Sequence, residues 1–400
     1  LLFLSIASIL FLASMIYAVG YLSREKADSP IQQKDFEDGS LFVNAPEAVL
    51  TACLLFFLAT MTLVCLSQHL GLFWVAIEST TLASAPLIYF HRHHRSLAAA
   101  WKYLLICSIG IALALLGNFL LAVATSNASG ETPLLLQRLI QIAPVMNPLW
   151  LKAAFIFLLI GYGTKMGLAP LHTWLPDAHS ESPSIVSALL SGALLNCAFL
   201  GILRAAQICY SAGLETFVAD LLIVFGLLSM GFAAIFILRQ TDFKRMLAYS
   251  SVEHMGILAL GVGLGGAGTF GALFHAINHS LTKAMLFLVA GNILNAFKTK
   301  STADVRGLGR LIPISGALWI AGFFSITGSP PFGTFLSEFT ILKAALDQGR
   351  MVIALGYLLL LALIFVAMAR IVLEMAQGKA EQHLQTQIRK ESWVEIMPPA

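Results

Sequence analysis

The sequence has little charge. Only 11% of its 400 residues are Asp, Glu, Lys or Arg, against about 25% in soluble domains, while apolar residues make up 58%. A soluble fold has no core in which to bury so much apolar chain. The formal net charge of +3 is too small to indicate a nucleic-acid-binding surface, so we expect no nucleic-acid partner.

Cysteine is also scarce, and its arrangement excludes the common metal cofactors. The 5 cysteines are isolated within or at the edge of apolar segments, with no C-x-x-C pair among them. Iron–sulfur clusters, nickel centres and structural zinc need several thiolates within reach of one another. We therefore expect no cofactor and no metal in this chain, and interpret the cysteines as small buried hydrophobic residues.

Long apolar runs recur along the whole chain instead. Each is about 20 residues long, enough to cross a hydrocarbon core of about 30 Å. The sequence therefore predicts an all-α polytopic membrane protein whose first partner is the lipid bilayer. The predicted spans are Leu1–Leu22, Ala48–Leu66, Gly71–Phe90, Leu97–Ala124, Leu151–Ala169, Ile185–Ala206, Phe217–Leu238, Phe243–Leu264, Gly268–Ala296, Ile312–Ile326, Gly333–Leu346 and Met351–Leu373.

The two ends of the sequence read as internal to a longer chain. Residue 1 is Leu rather than Met and already lies inside an apolar run. That run lacks the charged start and the small-residue cleavage site of a signal peptide, so we expect a true span. Glu391–Ala400 ends where another helix could begin, so we expect both ends to be cut.

Basic residues alternate between the loops and predict the orientation. One set of loops is basic, His91–Arg95, Arg239–Arg245 and Lys298–Arg310, whereas Ser67–Leu70 and Ser211–Glu215 on the other side contain no Lys or Arg. Positive loops remain cytoplasmic. We therefore expect the basic loops to lie in the cytoplasm.

Two predicted spans are interrupted by Gly and Pro, at Gly161–Pro170 and at Thr327–Gly333. These residues free backbone groups at membrane depth, which is tolerated only where protein or trapped water satisfies them. Ordinary proline kinks are the alternative. Interrupted helices at matching places in two repeats indicate an ion-handling centre. We predict two five-helix repeats, 48–207 and 217–376, flanked by an N-terminal helix and loop (1–47) and a cytoplasmic segment (377–400).

Charged residues occupy matching positions in the two predicted repeats. An ionisable side chain in a membrane helix is costly and indicates function unless it is paired. The matched pairs are Glu78 and Glu253 in the second helices, Lys102 and Lys283 in the third, and Lys165 and Glu338 in the interrupted fourth.

Glu78 and Lys165 together predict a switchable proton site. An ion pair at about 4 Å and an effective dielectric near 20 stabilises the two charges by about 4 kcal/mol. Lys165 therefore keeps its proton while an ionised Glu78 is close, and releases it more easily once Glu78 is neutral or distant. A purely structural salt bridge is the alternative.

His275, His279 and Lys283 follow one another at intervals of four residues and share one helical face. Imidazole exchanges protons near neutral pH, so this row predicts a proton relay, which His254 beside Glu253 can join. A metal site is the competing interpretation, because two histidines four residues apart can chelate. It is disfavoured because no carboxylate or cysteine accompanies them and the next group is a cation.

Glu338 follows the second interruption and is a candidate to pass protons onward; a helix-start carboxylate at the membrane surface is the alternative. Asp177 and Asp242 precede or begin helical segments, and we interpret both as interfacial caps.

Three stretches resemble the antiporter-like subunits of respiratory complex I, in the superfamily that also contains the Mrp antiporters: Gly163–His179, Asp242–Ser251 and His275–Lys283. Within it the chain looks most like the F-type membrane subunit of hydrogenase-4 and formate hydrogenlyase-like complexes. The stretches that carry this closer resemblance are Ala100–Tyr103, Leu194–Cys197 and Tyr249–Gly256.

The resemblance implies inverted five-helix repeats around a central hydrophilic axis. It also implies proton roles for Glu78, Lys102, Lys165, the two histidines, Lys283 and Glu338. Nickel–iron (NiFe) and iron–sulfur centres are then expected in partner subunits, membrane and peripheral, of a complex I-like assembly. The chain would be a subunit without a redox centre of its own.

One difference from the family concerns the central hydrophilic axis. Many complex I relatives carry a lysine or histidine in the helix Ser184–Leu203, where this chain has Ser191 and Asn196. Water would then have to bridge the first repeat to the axis. Three alternatives stay open: an Mrp-type cation/proton antiporter subunit, an NADH–quinone oxidoreductase subunit, and an ion-coupled subunit of an inorganic-carbon uptake complex.

Overall fold

A computed structural model describes residues 1–28, 33–34, 39, 41–129, 134–378, 391 and 396–399. Apart from isolated bridges, the only strands within these residues are β1 (Gln33–Lys34) and β2 (Leu41–Phe42), which pair antiparallel with Gln33 opposite Phe42. Most of the predicted C-terminal segment 377–400 lies outside the described residues.

Ten helices in the described chain are long and apolar enough to cross a membrane. The prediction of an all-α polytopic membrane protein is therefore confirmed. These spans lie in α1 (Leu2–Asp28), α2 (Glu47–Leu66), α3 (Leu70–Ile88), α4 (His94–Ser129), α6 (Pro148–Met166), α8 to α9 (Ser184–Leu189 and Leu195–Ser211), α10 (Glu215–Ile237), α11 (Phe243–Leu264), α12 (Gly266–Phe297) and α16 (Met351–Gln377).

Shorter helices connect or continue these spans. They are α5 (Leu136–Ile142), which a 3₁₀ turn (Ala143–Val145) follows, α7 (Leu175–Glu181), α13 (Leu308–Leu311), α14 (Pro313–Ile326) and α15 (Gly333–Asp347).

Burial separates central helices from peripheral ones. The most apolar window of α11 is 100% buried, and that of the span Ser184–Ser211 is 94% buried, whereas only 28% of the window in α16 is buried. α11 has the hydrophilic stretch Tyr249–His254 and a mean hydropathy well below that of α16. The more polar helix thus lies in the protein interior and the most apolar one at its surface, as expected when the surrounding solvent is lipid.

Both predicted interruptions are present. α6 ends at Met166 because Gly167 takes the left-handed conformation, with φ of 87°, and Leu168 N donates to the carbonyl of Gly163 at 2.8 Å. The chain resumes as a helix only at Leu175. In the second case α14 and α15 have 14 and 15 residues, each too short to span alone.

The segment Ser184–Ser211 differs from the single regular helix that we predicted. Between α8 and α9 the residues Leu190–Leu194 form a π-helical turn. A π turn carries one extra residue and rotates the side chains that follow it, and such turns occur frequently at functional sites. The apolar pattern of the sequence cannot predict this turn. Residues on every side of the helix are buried here, so a change in helix rotation leaves no trace in the pattern.

The basic loops converge at one end of the bundle. Lys300 Nζ lies 2.9 Å from a carboxylate oxygen of Glu181, and His93 Nε2 lies 3.7 Å from the other. Ser180 Oγ donates to Asp242, whose other oxygen caps α11 by accepting from Lys244 N and Arg245 N. The cap that we predicted at Asp242 is confirmed. We call this end, with the loops His91–Arg95, Arg239–Arg245 and Lys298–Arg310, the basic face.

Candidate functional site: a buried row of ionisable side chains

Lys165 lies in the last turn of α6, immediately before the first interruption, and is fully buried. Its ammonium donates to Thr81 Oγ1 at 2.8 Å and to the hydroxyl of Tyr103 at 2.5 Å. The Tyr103 hydroxyl also lies 2.6 Å from Ser84 Oγ. Two helices, α3 and α4, thus supply the neutral hydroxyl groups around the ammonium of Lys165 on α6.

Glu78 does not pair directly with Lys165, contrary to our expectation. Ser108 Oγ donates to one carboxylate oxygen at 2.8 Å, and Thr81 Oγ1 lies 3.4 Å from the other. In the described part of the chain no ion pair joins Glu78 to Lys165. Thr81 instead stands between them, accepting from the lysine and facing the carboxylate.

The interruption beside Lys165 is held by side chains, which satisfy its freed backbone groups. Trp174 Nε1 donates to the carbonyl of Thr164 at 2.8 Å, and Ser229 Oγ accepts from Ala169 N at 2.9 Å. The backbone at membrane depth is therefore stabilised by protein rather than exposed to lipid.

Lys102 lies apart from Lys165 and forms an ion pair with Asp177. The two oxygens of Asp177 contact Lys102 Nζ at 2.7 Å and Arg245 NH1 at 2.8 Å. Asp177 makes no capping hydrogen bond to α7, so our interpretation of it as a cap is wrong. It joins α4 to α11, which sequence spacing could not indicate because the three residues are far apart in the chain.

His254, His275 and Ser337 form a hydrogen-bonded row through α11, α12 and α15. His254 Nδ1 lies 2.7 Å from His275 Nε2, and His275 Nδ1 lies 2.9 Å from Ser337 Oγ. Ser337 Oγ donates its single proton to the carbonyl of Thr334 at 2.8 Å, so it accepts from His275 Nδ1. We therefore assign the proton of His275 to Nδ1, and His254 Nδ1 as the donor to the bare Nε2.

Glu338 completes this group. One carboxylate oxygen and one nitrogen from each of His254 and His275 lie within 4.8 Å of one another. All three side chains are buried. The structure thus brings Glu338 from α15 to the histidines of two other helices, and not to the membrane surface.

The predicted row of His275, His279 and Lys283 divides in the structure. The His279 ring lies 5.1 Å from that of His254, beside the histidine row. Lys283 turns to the first half of α11, where its ammonium donates to Leu247 O at 2.6 Å and to Ser250 Oγ. Glu253 is buried on the same helix, one residue before His254.

Many polar atoms around the second interruption have no protein partner within the described residues. Buried polar groups in proteins are nearly always paired with protein or ordered water. Because several such atoms gather here, we expect water to hydrate this interior. The atoms belong to His254 (Nε2), His279 (both ring nitrogens), Glu338 (Oε1), Thr334 and Tyr357 (hydroxyls).

Neutral side chains connect the segment Ser184–Ser211 to α11 and α12. Ser191 Oγ, in the π-helical turn, lies 2.8 Å from Ser251 Oγ on α11, and Asn196 Nδ2 donates to Ser280 Oγ at 2.7 Å on α12. Both contacts reach residues next to or near the buried row. Hydroxyl and amide groups can order water without carrying charge themselves.

The sequence did not indicate the hydroxyl groups that form hydrogen bonds with the ionisable side chains. They belong to Thr81, Tyr103, Ser108, Ser250 and Ser337. A partial signal existed, because Thr81 lies three residues after Glu78 and such residues are neighbours on a helix. The others come from different helices, so no spacing could have identified them.

Comparison with known proteins shows the family to which the chain belongs. The family described as NADH:quinone oxidoreductase/Mrp antiporter, TM matches residues 67–368. The hydrogenase-4 component F homolog of Methylacidiphilum infernorum (isolate V4) is 42% identical over 298 residues, covering 74% of this chain and 62% of the relative. The chain thus spans less than two thirds of that relative's length.

Two solved structures share the fold. A chain of the Mrp complex from Dietzia sp. DQ12-45-1b superposes with a TM-score of 0.80 at 21% identity, covering 95% of this chain and 66% of that one. A chain of the membrane-bound sulfane sulfur reductase, an archaeal respiratory membrane complex, gives 0.79 at 24% identity, covering 87% and 70%.

Proposed function

Because the chain belongs to the NADH:quinone oxidoreductase/Mrp antiporter family of membrane proteins, we propose that it translocates protons as a membrane subunit of a complex I-like, hydrogenase-type assembly. The observation that carries this proposal is Lys165, a fully buried lysine one hydroxyl group away from Glu78. A buried charge in a membrane protein is costly and is retained where transport requires it.

The first half of the proposed pathway is a switch at Thr81. Its hydroxyl accepts a hydrogen bond from Lys165 and faces the carboxylate of Glu78, so it lies between the two ionisable groups. While Glu78 is ionised, the arrangement favours a protonated lysine. Once Glu78 gains a proton, the ammonium keeps only neutral hydroxyl partners in a buried site, and it releases its proton more readily.

The second half is the histidine row. A proton that arrives at His254 Nε2 allows Nδ1 to release its own proton to His275 Nε2. Glu338 lies close enough to both imidazoles to accept it next. Two further groups of ionisable side chains complete the proposed pathway. Lys283 and Glu253 lie on one side of the histidine row, and Lys102 with Asp177 lies at the basic face.

The driving force in this proposal comes from partner subunits, which would hold the nickel–iron and iron–sulfur centres. Moving one charge against 100 mV requires about 2.3 kcal/mol, within what a two-electron redox step supplies. The assembly would lie in a bacterial or archaeal inner membrane with the basic face in the cytoplasm. The inverted repeats 48–207 and 217–376 remain part of this proposal.

The test uses the whole complex in liposomes, with redox turnover and proton uptake measured in the same preparation. Lys165→Ala and Glu78→Ala should abolish coupled proton transport while the complex still assembles. Lys152→Ala is the matched control, because Lys152 is on the same helix but its ammonium lies over the Phe217 ring, 5.4 Å from the centroid. Full coupled transport in the first two variants would refute the proposal.

The same preparation separates the Mrp-type alternative from the redox-driven role. Proton uptake that needs sodium on the opposite side, without electron transfer, would identify an Mrp-type antiporter. Proton uptake in sodium-free buffer that stops when the electron donor is exhausted would support the redox-driven role.

A further inference from the structure

Three helices each supply one potential metal ligand to a single buried point. His254 on α11, His275 on α12 and Glu338 on α15 offer two imidazole nitrogens and a carboxylate oxygen within 4.8 Å of one another. Sequence alone disfavoured a metal because no carboxylate accompanies the histidines of α12. The fold provides that carboxylate from a residue 63 positions after His275.

This donor set is one that Zn²⁺ binds. Two histidines and one carboxylate leave a fourth, open position in tetrahedral geometry, with metal–ligand distances of about 2.0–2.2 Å. Ligand atoms around such an ion lie about 3.3 Å apart. The present 2.7 Å between His254 Nδ1 and His275 Nε2 needs to widen only slightly for an ion to replace the shared proton.

The surroundings already orient the ligands. Ser337 Oγ accepts from His275 Nδ1, which leaves the lone pair of Nε2 directed at the cluster. A hydrogen bond to the outer nitrogen of a histidine is the usual support of a metal-bound imidazole. Glu338 Oε1 is buried without a hydrogen-bond partner in the described chain.

Within the described residues, the neighbouring cation makes no hydrogen bond to the cluster. The Lys283 ammonium turns away from the cluster toward Leu247 O and Ser250 on α11. The Glu338 carboxylate supplies one negative charge at the cluster itself.

We infer that His254, His275 and Glu338 form an inhibitory site for a transition-metal dication of the Zn²⁺ type. The ion occupies the point where His254 passes a proton to His275, so a bound metal closes the pathway. Binding of the metal is independent of the proposed function; only the inhibition rests on it.

The binding test uses Zn²⁺ and its spectroscopic substitute Co²⁺ with the purified complex. Metals of partner subunits are present in every variant, so the informative quantity is the difference from the unmutated protein. We expect one Zn²⁺ more per chain than in His275→Ala, and a Co²⁺ absorption spectrum of tetrahedral type. Ser337→Ala keeps all three ligands and should weaken binding about 10- to 100-fold.

His279→Ala is the matched control, because this buried histidine lies beside the cluster without belonging to it. Its Zn²⁺ stoichiometry should equal that of the unmutated protein. Equal Zn²⁺ binding in His275→Ala, Ser337→Ala and the unmutated protein would overturn the metal site while leaving the proton pathway untouched.

The inhibition test adds Zn²⁺ to liposomes containing the complex. Proton transport should stop with Zn²⁺ and return after a chelator, and Ser337→Ala should require about 10- to 100-fold more metal. If Zn²⁺ binds at the cluster with no effect on transport, the inhibitory role is overturned and protons do not pass through this point.

Discussion

The carboxylate of Glu338 fills the space beside the α-carbon of Gly328. A Cβ atom at Gly328 would overlap the carboxylate oxygen Oε2, and the φ of 61° at this residue is one that L side chains rarely adopt. The second interruption therefore does more than break a helix, because its glycine leaves room for the acidic group that faces His254 and His275.

Gly328→Ala should displace Glu338 and lower proton transport by about 10- to 100-fold, the range expected when a reacting group moves by about 1 Å. The change also costs roughly 1–2 kcal/mol of backbone strain. Gly349→Ala is the control, because its φ is 67° but nothing lies within 4 Å of its Cβ position. Proton uptake by liposomes measures the difference; equal transport in the two variants would contradict a positioning role for Gly328.

Thr81→Val should uncouple Lys165 from Glu78. It removes the hydroxyl that accepts from the lysine and leaves a buried ammonium with one bond fewer, at a cost of about 1–3 kcal/mol. We expect coupled proton transport to fall about tenfold while redox turnover continues. Thr80→Val is the matched control, because the Thr80 hydroxyl bonds only the Ile77 carbonyl of its own helix. The hypothesis fails if both variants transport protons equally.

The ion pair between Glu181 and Lys300 should make stability at the basic face depend on pH. Burial alone would raise the pKa of Glu181, but the charge and hydrogen bond of Lys300 outweigh it, with help from Arg95 and His93, so the pKa lies below its ordinary value. Stability from this pair is therefore present above the unfolded-state pKa of about 4.3 and is lost as pH falls through the lower folded-state pKa.

Lys300→Met tests this pH dependence. Near neutral pH it should lower the free energy of unfolding by up to about 3–5 kcal/mol, because a largely buried carboxylate loses its main partner. The gap in melting temperature between this variant and the unmutated complex should narrow below about pH 4. Lys343→Met is the control, since the Lys343–Asp347 pair is mostly exposed and should matter little. A gap that stays constant from pH 7 to the acid range would contradict the role of Glu181.

Asp177→Asn should leave the complex folded. The Asp177 pairs with Lys102 and Arg245 are between a quarter and two fifths exposed, and pairs of this kind contribute about 0.2–1 kcal/mol each. A double-mutant cycle with Lys102→Met, followed by unfolding in denaturant, should give a coupling free energy in that range. A coupling free energy of several kcal/mol would show instead that the three residues strongly stabilise the packing of α4 and α11.

The amino-acid sequence determined by itself the class of the protein and the positions of its spans. Apolar runs of bilayer length leave one structural solution, since a helix satisfies its own backbone where no water is available. Every predicted span is helical within the described residues, although a π-helical turn divides Ile185–Ala206, and both Gly- and Pro-rich segments interrupt a helix as expected. These features depend on local chemistry, which is readable along the chain.

Only the tertiary structure decided which of the charged residues meet. Glu78 and Lys165 are joined through Thr81, Asp177 pairs across α4 and α11, and Glu338 reaches His254 and His275. Partners on separate helices depend on how each helix is rotated about its axis and where its interruption falls. That rotation follows from packing of the whole bundle, including the π-helical turn at Leu190–Leu194, and apolar sequence that is buried on every side does not specify it.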